Sequence, residues 1–578
     1  MNLPATPAAP IRHSAWKIWS NPIFRRYCRS RLRLRGLGIS LLIVVMVAGF
    51  IFAATDMFSV HQAKFAELDG ARSPILPLLI FQGLILFVMG TAQVSGGMVA
   101  ERDEGVIDYQ RLIPMPPSAK VFGYLFGLPV REYVLVLATL PFTAWCLWKG
   151  EVALGNWLPL YAVFFSSALL YHFTGLLTGT VVKNRRWAFL ISIGLVFALY
   201  TVIPQMARFG LVFFKYLTIE PVYEECKPGL WPKTLGAMVE VGHRLAPSVK
   251  FFNLDFSETV FTLFSQGGLV LTFLAMLTRK WRRTESHLLG KIWATVFFVW
   301  IQVLLLGNAL PLVATGDIFF THGFNQGLLR FGKEWEPQAW EATCMSGLYG
   351  LVTLLLLFIL GGLITPSPMQ QMNGWRRARK NGRDSLEVLS DPATGSWFVL
   401  VMALAGAVGW YLFTRGVIES RWFPGHQVPL SVLGWFAAVM VSVGLGYQVL
   451  LESRGAKVVG LVVILGGVAP LMIGTVMCAI NTLAVPAVWF IGMSPVSLPV
   501  YAAGSQLSVF DLPDKFARAV PRAFQFWLFV VCLTTVWLSY QLYVRRRAIA
   551  RKVMESGTPL PSAEPASLQT AIPEAPEP

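Results

Sequence analysis

Gly36-Leu37-Gly38-Ile39-Ser40-Leu41-Leu42-Ile43-Val44-Val45-Met46-Val47-Ala48-Gly49-Phe50-Ile51-Phe52-Ala53-Ala54-Thr55 is a run of twenty residues without a charged side chain, framed by Arg35 and Asp56. As a helix rising 1.5 Å per residue it covers about 30 Å, the hydrocarbon thickness of a bilayer. Further charge-free windows follow at 73–100, 133–148, 152–182, 187–207, 259–278, 292–316, 342–375, 392–414, 422–451, 458–510 and 523–544. All but 133–148 reach twenty residues, and that one extends backwards past Arg131 and Glu132 to Lys120 through apolar sequence. One charge at the centre of a membrane helix costs roughly 2.5–3.5 kcal/mol on insertion scales, so the spacing is a strong constraint. The chain reads as an all-α polytopic integral membrane protein with about twelve transmembrane helices. The first window starts too deep and runs too long for a cleaved signal peptide, so it is retained as a span.

The chain of 578 residues is 55% hydrophobic, 14% charged and carries a net charge of +17. Threading twelve spans from an inner N-terminus puts the basic excess on the inner face and leaves the outer loops balanced, as the positive-inside bias requires. The charge therefore reads as orientation and affinity for anionic lipid, not as a nucleic-acid footprint. Residues 546–578 form a disordered cytoplasmic tail whose last twenty residues are rich in Pro, Glu and Ala. Six cysteines fall singly and seven histidines lie without ligand spacing, so no metal site is expected. A bridge among Cys226, Cys344 and Cys478 near the outer face is left open.

Residues 1–35 form the inner N-terminal segment. Its part from 11 to 35 holds eight basic residues and no acid, interleaved with Trp16, Trp19, Phe24 and Tyr27. Asn21-Pro22 marks a helix start, and the pattern is an amphipathic helix on the inner interface or a plain orientation signal. Two halves follow, 36–280 and 281–545. In each, the second span leads to a charged inner segment (100–120 and 365–395), and the fifth leads to a long outer segment (208–256 and 480–522). Both halves start inside, giving two parallel six-helix halves related by an axis along the membrane normal. Prolines through 484–499 predict a re-entrant or surface hairpin in the second outer segment.

The first inner segment is the most informative. It reads Glu101-Arg102-Asp103-Glu104-Gly105-Val106-Ile107-Asp108-Tyr109-Gln110-Arg111-Leu112-Ile113-Pro114-Met115-Pro116-Pro117-Ser118. A short charged helix fixed to two spans can pass force from a soluble partner into the membrane; the alternative is a solvated loop. Here the sequence resembles the ABC-2-type permeases, the membrane components of a class of ATP-binding-cassette exporters. That family shows Glu-x-x-x-Gly-Thr after its second span, then a leucine, then Pro-x-Ser before the third. Glu101, Gly105, Leu112, Pro116, Ser118 and Gly123 match, while Val106 stands where Thr is usual. The resemblance covers roughly 11–280 and is architectural only beyond it. There Trp375, Arg376, Arg377 and Glu387 occupy the coupling position without the motif.

The resemblance implies a permease subunit of an ATP-driven exporter in the cytoplasmic membrane, both termini cytoplasmic. It implies a pair of cytoplasmic ATPase subunits docking on Glu101, Glu104, Gly105, Asp108, Arg111, Leu112, Pro116 and Ser118, and on their second-half counterparts. ATP and Mg would be bound by those subunits, since this chain carries no cofactor motif of its own. Gly327-Leu328-Leu329-Arg330-Phe331-Gly332-Lys333-Glu334 imitates a phosphate loop but puts Glu334 where a Mg-binding hydroxyl is needed. Arg131, Glu132 and Glu258 are candidate intramembrane polar or gating residues, or else interfacial ones. Helix geometry sets Arg131 and Glu132 about 100° apart, which argues against their pairing. His172, Gln93, Gln302 and Asn308 read as interhelical hydrogen-bonding groups. The rival classes are an ion-coupled secondary transporter and a polytopic membrane glycosyltransferase, the latter using outer acids such as Asp56, Glu67 and Asp69.

Overall fold

The computed structural model describes residues 16–59, 67–182, 184–231, 248–283, 285–321, 336–507 and 514–555. Twelve helices among them are long and apolar enough to cross a membrane. Spans 1 to 6 are Leu34–Met57, Glu67–Asp103, Val130–Lys149, Leu154–Val181, Arg185–Phe209 and Glu258–Arg282. Spans 7 to 12 are Lys291–Thr315, Ala339–Ile364, Ser396–Ile418, Ser431–Arg454, Ala456–Cys478 and Ala519–Glu555. Strand is confined, among the described residues, to one antiparallel hairpin, β1 Ser248–Phe251 and β2 Leu254–Ser257.

Local sequence sets the helix ends. Ser257 caps span 6 by accepting from Val260 N–H, Glu258 lies in its first turn, and Arg279, Lys280 and Arg282 crowd its last. Acid at the start and base at the end complement the helix dipole. Gln338 and Glu341 close a capping box at the start of span 8. Span 2 is bridged by a π-turned stretch, Leu84–Gly90, and spans 5 and 11 carry the same feature at Ala198–Val202 and Val463–Val468.

Three packing pairs recur in both halves. Span 1 packs on 3, 2 on 4, and 4 on 6; likewise span 7 packs on 9, 8 on 10, and 10 on 12. Centre and edge are clear from burial: 72% of the apolar stretch of span 4 is covered, against 6% in span 1. Edge spans leave an apolar surface that only lipid suits. We call the end carrying the 100–120 and 365–395 segments the basic face, and its opposite the far face.

The hairpin ties the halves together at the far face. Pro311 lies within span 7 and has no N–H, so the carbonyl of Gly307 loses its helical donor. Phe252 N–H supplies the missing bond at 2.8 Å. The Phe251 ring covers the same glycine, where a Cβ would stand 2.2 Å from Phe251 Cε2. Between spans 6 and 7 themselves, Trp300 lies over Gly268 in the same fashion.

The expected hairpin lies within 484–506. Helices Ala484–Gly492 and Leu498–Gln506 are nine residues each, and the bent pair to which they belong turns by 99°. Neither crosses a bilayer at 1.5 Å per residue. Both lie against far-face ends: Ile491 against Gly474 of span 11, Val500 against Gly347 of span 8.

Three expectations are corrected, the first being the disordered tail over 546–578: span 12 stays helical through Glu555. Arg131 and Glu132 do pair, Nη2 to Oε1 at 2.8 Å, because the long guanidinium arm spans the angular offset. Of the two placements left open for them, they stand at the start of a span rather than inside a helix begun at Lys120. Pro129 separates helix Pro117–Gly127 from span 3, leaving both residues in the first turn of that span. Asn308 is buried, yet its side-chain amide has no hydrogen-bond partner among the described residues. All six cysteines are free thiols. The phosphate-loop imitation at 327–334 lies outside the described residues.

Candidate functional site

Span 2 reaches the basic face at Asp103, and the chain reverses through Gly105 at φ +71°, a backbone conformation that favours glycine. Helix Val106–Leu112 follows. Its Ile107 and Gln110 are buried while Asp108 and Tyr109 are exposed, and Leu112 is 82% exposed. Arg111 joins Asp108 at 2.6 Å and lies over the Trp281 ring at 5.9 Å, on the basic end of span 6. Lys120 is buried beneath this helix and donates to the Arg111 carbonyl at 3.1 Å; burial pulls its pKa down. Pro116 is the N-cap of Pro117–Gly127, and Ser118 is half-buried in that helix's first turn. A cavity of about 300 Å³ opens between Met98, Arg102, Ile107, Arg111 and Trp281.

Glu101 does not share the exposure of Glu104. Its side chain is 13% exposed, ion-paired with Arg26, and accepts from Tyr124 Oη at 3.4 Å. It fastens the N-terminal helix Pro22–Arg31 to span 2. That helix begins as its sequence predicts, with Asn21 Oδ1 accepting from Ile23 N–H at 3.0 Å and Pro22 in the first turn. Asn21 Nδ2 also donates to the Ala119 carbonyl at 2.6 Å. The neighbouring Arg102 turns to the end of span 4, donating to the Val182 carbonyl at 2.7 Å. So part of the motif holds the base of the bundle, and Glu104, Asp108, Tyr109 and Leu112 stay exposed toward a partner.

The second half builds its counterpart differently. Helix Pro368–Lys380 starts with a Ser367/Gln370 capping box and packs along the basic end of span 12. Trp375 is half-buried and Arg376 exposed; Arg377 pairs with Glu285 of the inter-half link at 2.7 Å, and Glu387 pairs with Arg383. A cavity of about 830 Å³ lies between this helix, the link and the 383–392 loop. Lys291 at the start of span 7 holds that loop, donating to the carbonyls of Val388, Ser390 and Ala393 at 2.7–2.9 Å. Arg279 of span 6 bonds Asp391, and His287 donates its backbone N–H to the same carboxylate at 3.3 Å. The His287 ring is buried, which lowers its pKa.

A cluster that sequence reasoning missed lies beside this helix. Glu452 is 2% exposed and accepts from Gln371 Nε2 at 2.5 Å, Gln448 Nε2 at 2.7 Å and Arg546 Nε at 2.8 Å. It joins the connecting helix to spans 10 and 12. The only signal available was a lone acid in the short turn Glu452-Ser453-Arg454.

Arg131, Glu132 and Glu258 do not form one site. Glu132 is buried at the basic end of span 3, whereas Glu258 lies at the far-face start of span 6 with Lys215 at 3.7 Å. Of the expected interhelical groups, His172 bonds Tyr133 Oη at 2.8 Å and the Leu86 carbonyl at 3.0 Å. Gln302 accepts from Tyr349 Oη at 2.8 Å, and Gln93 accepts from Arg31 at 2.8 Å. No group of three or more His, Cys, Asp or Glu with metal-binding geometry occurs among the described residues.

These features define the class: an all-α multi-pass membrane protein of two repeated bundles, each ending its second span in a surface helix braced on its sixth. Comparison with family models, curated proteins and solved structures finds no match.

Proposed function

We propose that this chain is the permease of an ABC-2-type exporter in the cytoplasmic membrane, both termini cytoplasmic, driven by separate ATPase subunits that bind ATP and Mg. The observation that carries the reading is the pair of connecting helices. Each is fixed to the end of its half's second span and rests on the end of that half's sixth. A push on either helix therefore reaches two spans at once.

The two connecting segments expose different charges. Val106–Leu112 and its approach present Glu104 and Asp108, whereas Pro368–Lys380 presents Arg376, Arg377 and Lys380. The reading thus implies two unlike docking surfaces, and ATPase subunits, or faces of them, that differ to match. An ion-coupled mechanism is less well supported. Its candidate carboxylates, Glu132 and Glu258, each sit in the first turn of a span beside a cation.

The test is capture of an ATPase by the full chain in detergent. Glu104→Arg with Asp108→Arg is expected to weaken capture at least about tenfold, the scale of several charge contacts reversed. Charge reversal at the far-face residue Glu224 should leave it unchanged. Transport by the reconstituted chain without a nucleotide-hydrolysing partner would refute the proposal.

A further inference from the structure

The fold sorts the arginines of the N-terminal helix and its exit. Arg31 turns inward to Gln93, and Arg26 reaches Glu101. Arg25, Arg26 and Arg29 of this helix, and Arg33 just beyond its end, wall a cleft of about 370 Å³ with Pro22 and Ser30. Arg25 bonds the Trp19 carbonyl; Arg29 and Arg33 have no partner among the described residues. The opposite face of the helix is anchored by buried Ile23, Phe24 and Tyr27. Of these four guanidinium groups only that of Arg26 meets a carboxylate among the described residues, Glu101, whose side chain is 13% exposed.

The depth of the cleft is fixed. Span 1 begins at Leu34, immediately after Arg33, and its apolar side chains are exposed to lipid. Trp16 and Trp19, 83% and 80% exposed, lie on the same segment as the belt of indoles that marks a headgroup layer. Guanidinium forks at that level match phosphate oxygens.

We propose that Arg25, Arg26, Arg29 and Arg33 form a binding site for the phosphate of an anionic phospholipid, and that Arg26 is shared between this lipid and Glu101. Lipid occupancy and the Arg26–Glu101 pair then compete for one guanidinium. The composition of the membrane thereby sets how firmly the N-terminal helix holds the base of span 2. This site rests on the membrane fold alone and stands or falls independently of the ATPase reading.

The test uses the full chain purified in neutral detergent, with dioctanoyl phosphatidylglycerol, dioctanoyl phosphatidylcholine and inorganic phosphate as probes. Binding is read by native mass spectrometry. Phosphatidylglycerol should bind and phosphatidylcholine should bind at least tenfold more weakly. Each exposed arginine at such a surface is worth about a fivefold change, so Arg29→Gln with Arg33→Gln should weaken phosphatidylglycerol about 25-fold. The paired lysine substitutions should keep most of the affinity, which separates lost charge from lost folding. Glu101→Gln, which frees Arg26, should tighten binding about fivefold.

Unchanged affinity in the paired glutamine variant, or equal binding of phosphatidylcholine, overturns the site. Displacement of phosphatidylglycerol by an equal concentration of inorganic phosphate assigns the cleft to a soluble anion and overturns the lipid. An unmoved affinity in Glu101→Gln removes the link through Arg26.

Discussion

Gly307→Ala tests the joint between the halves. The added Cβ would stand 2.2, 2.6 and 2.8 Å from three ring carbons of Phe251, well inside contact distance. The helix backbone of span 7 cannot yield, so the ring and its hairpin must. Forcing one methyl group into a packed site costs about 1–3 kcal/mol. If the hairpin withdraws, the Phe252 bond to the Gly307 carbonyl is lost as well, for about 1 kcal/mol more, because Pro311 cannot replace the donor. The sum is roughly 2–4 kcal/mol, against which alanine's better helix propensity returns up to about 1 kcal/mol. Denaturant unfolding of the purified chain in bicelles measures it, as a cycle with Phe251→Ala. Without the ring the methyl group meets no clash from it, so Gly307→Ala in that background should be neutral or slightly stabilising. A coupling energy of about 2 kcal/mol is expected. Costs that add to within about 0.5 kcal/mol would refute the hairpin's seating on span 7.

Arg546→Ala strips the cation from Glu452, whose side chain is fully buried, and should cost about 3–5 kcal/mol, read as a lowered melting temperature. Exchanging Glu452 and Arg546 together for apolar residues of similar volume should cost far less than the single change. Gly105→Ala puts a side chain at φ +71° and should cost about 1–2 kcal/mol, although no neighbouring atom obstructs it. His287, held neutral by burial, binds its proton less readily folded than unfolded, so stability should fall as pH drops below its ordinary value near 6.5 and stay level above it. His287→Gln should flatten that slope in a pH series of melting curves; an unaltered slope places its origin elsewhere.

The spans were legible because a bilayer penalises charge residue by residue, and gaps such as 36–55 and 422–451 record that penalty directly. Asn21-Pro22 announced its helix because capping is local chemistry. The Pro-rich stretch 484–499 announced the bent pair for the same reason. What escaped were choices of partner made across the bundle. Nothing near Glu101 in sequence shows that it turns to Arg26, 75 residues away, while Glu104 stays exposed. The Arg131–Glu132 pairing depends on arm length, which a helical wheel ignores. The hairpin was invisible because its reason lies at Gly307 and Pro311, in the other half of the chain.

The wide turns in spans 5 and 11 occupy equivalent helices of the two halves, and these are among the least covered, with 22% and 17% of their apolar stretch buried. A turn closed over five residues where an α-helix needs four stores one residue of slack. Moving that surplus along the helix swivels everything beyond it by about 100° while the remaining ladder stays bonded. In each half the far end of that helix would turn past its own packing, Ile203 and Met206 against the core in span 5 and Gly474 against Ile491 in span 11.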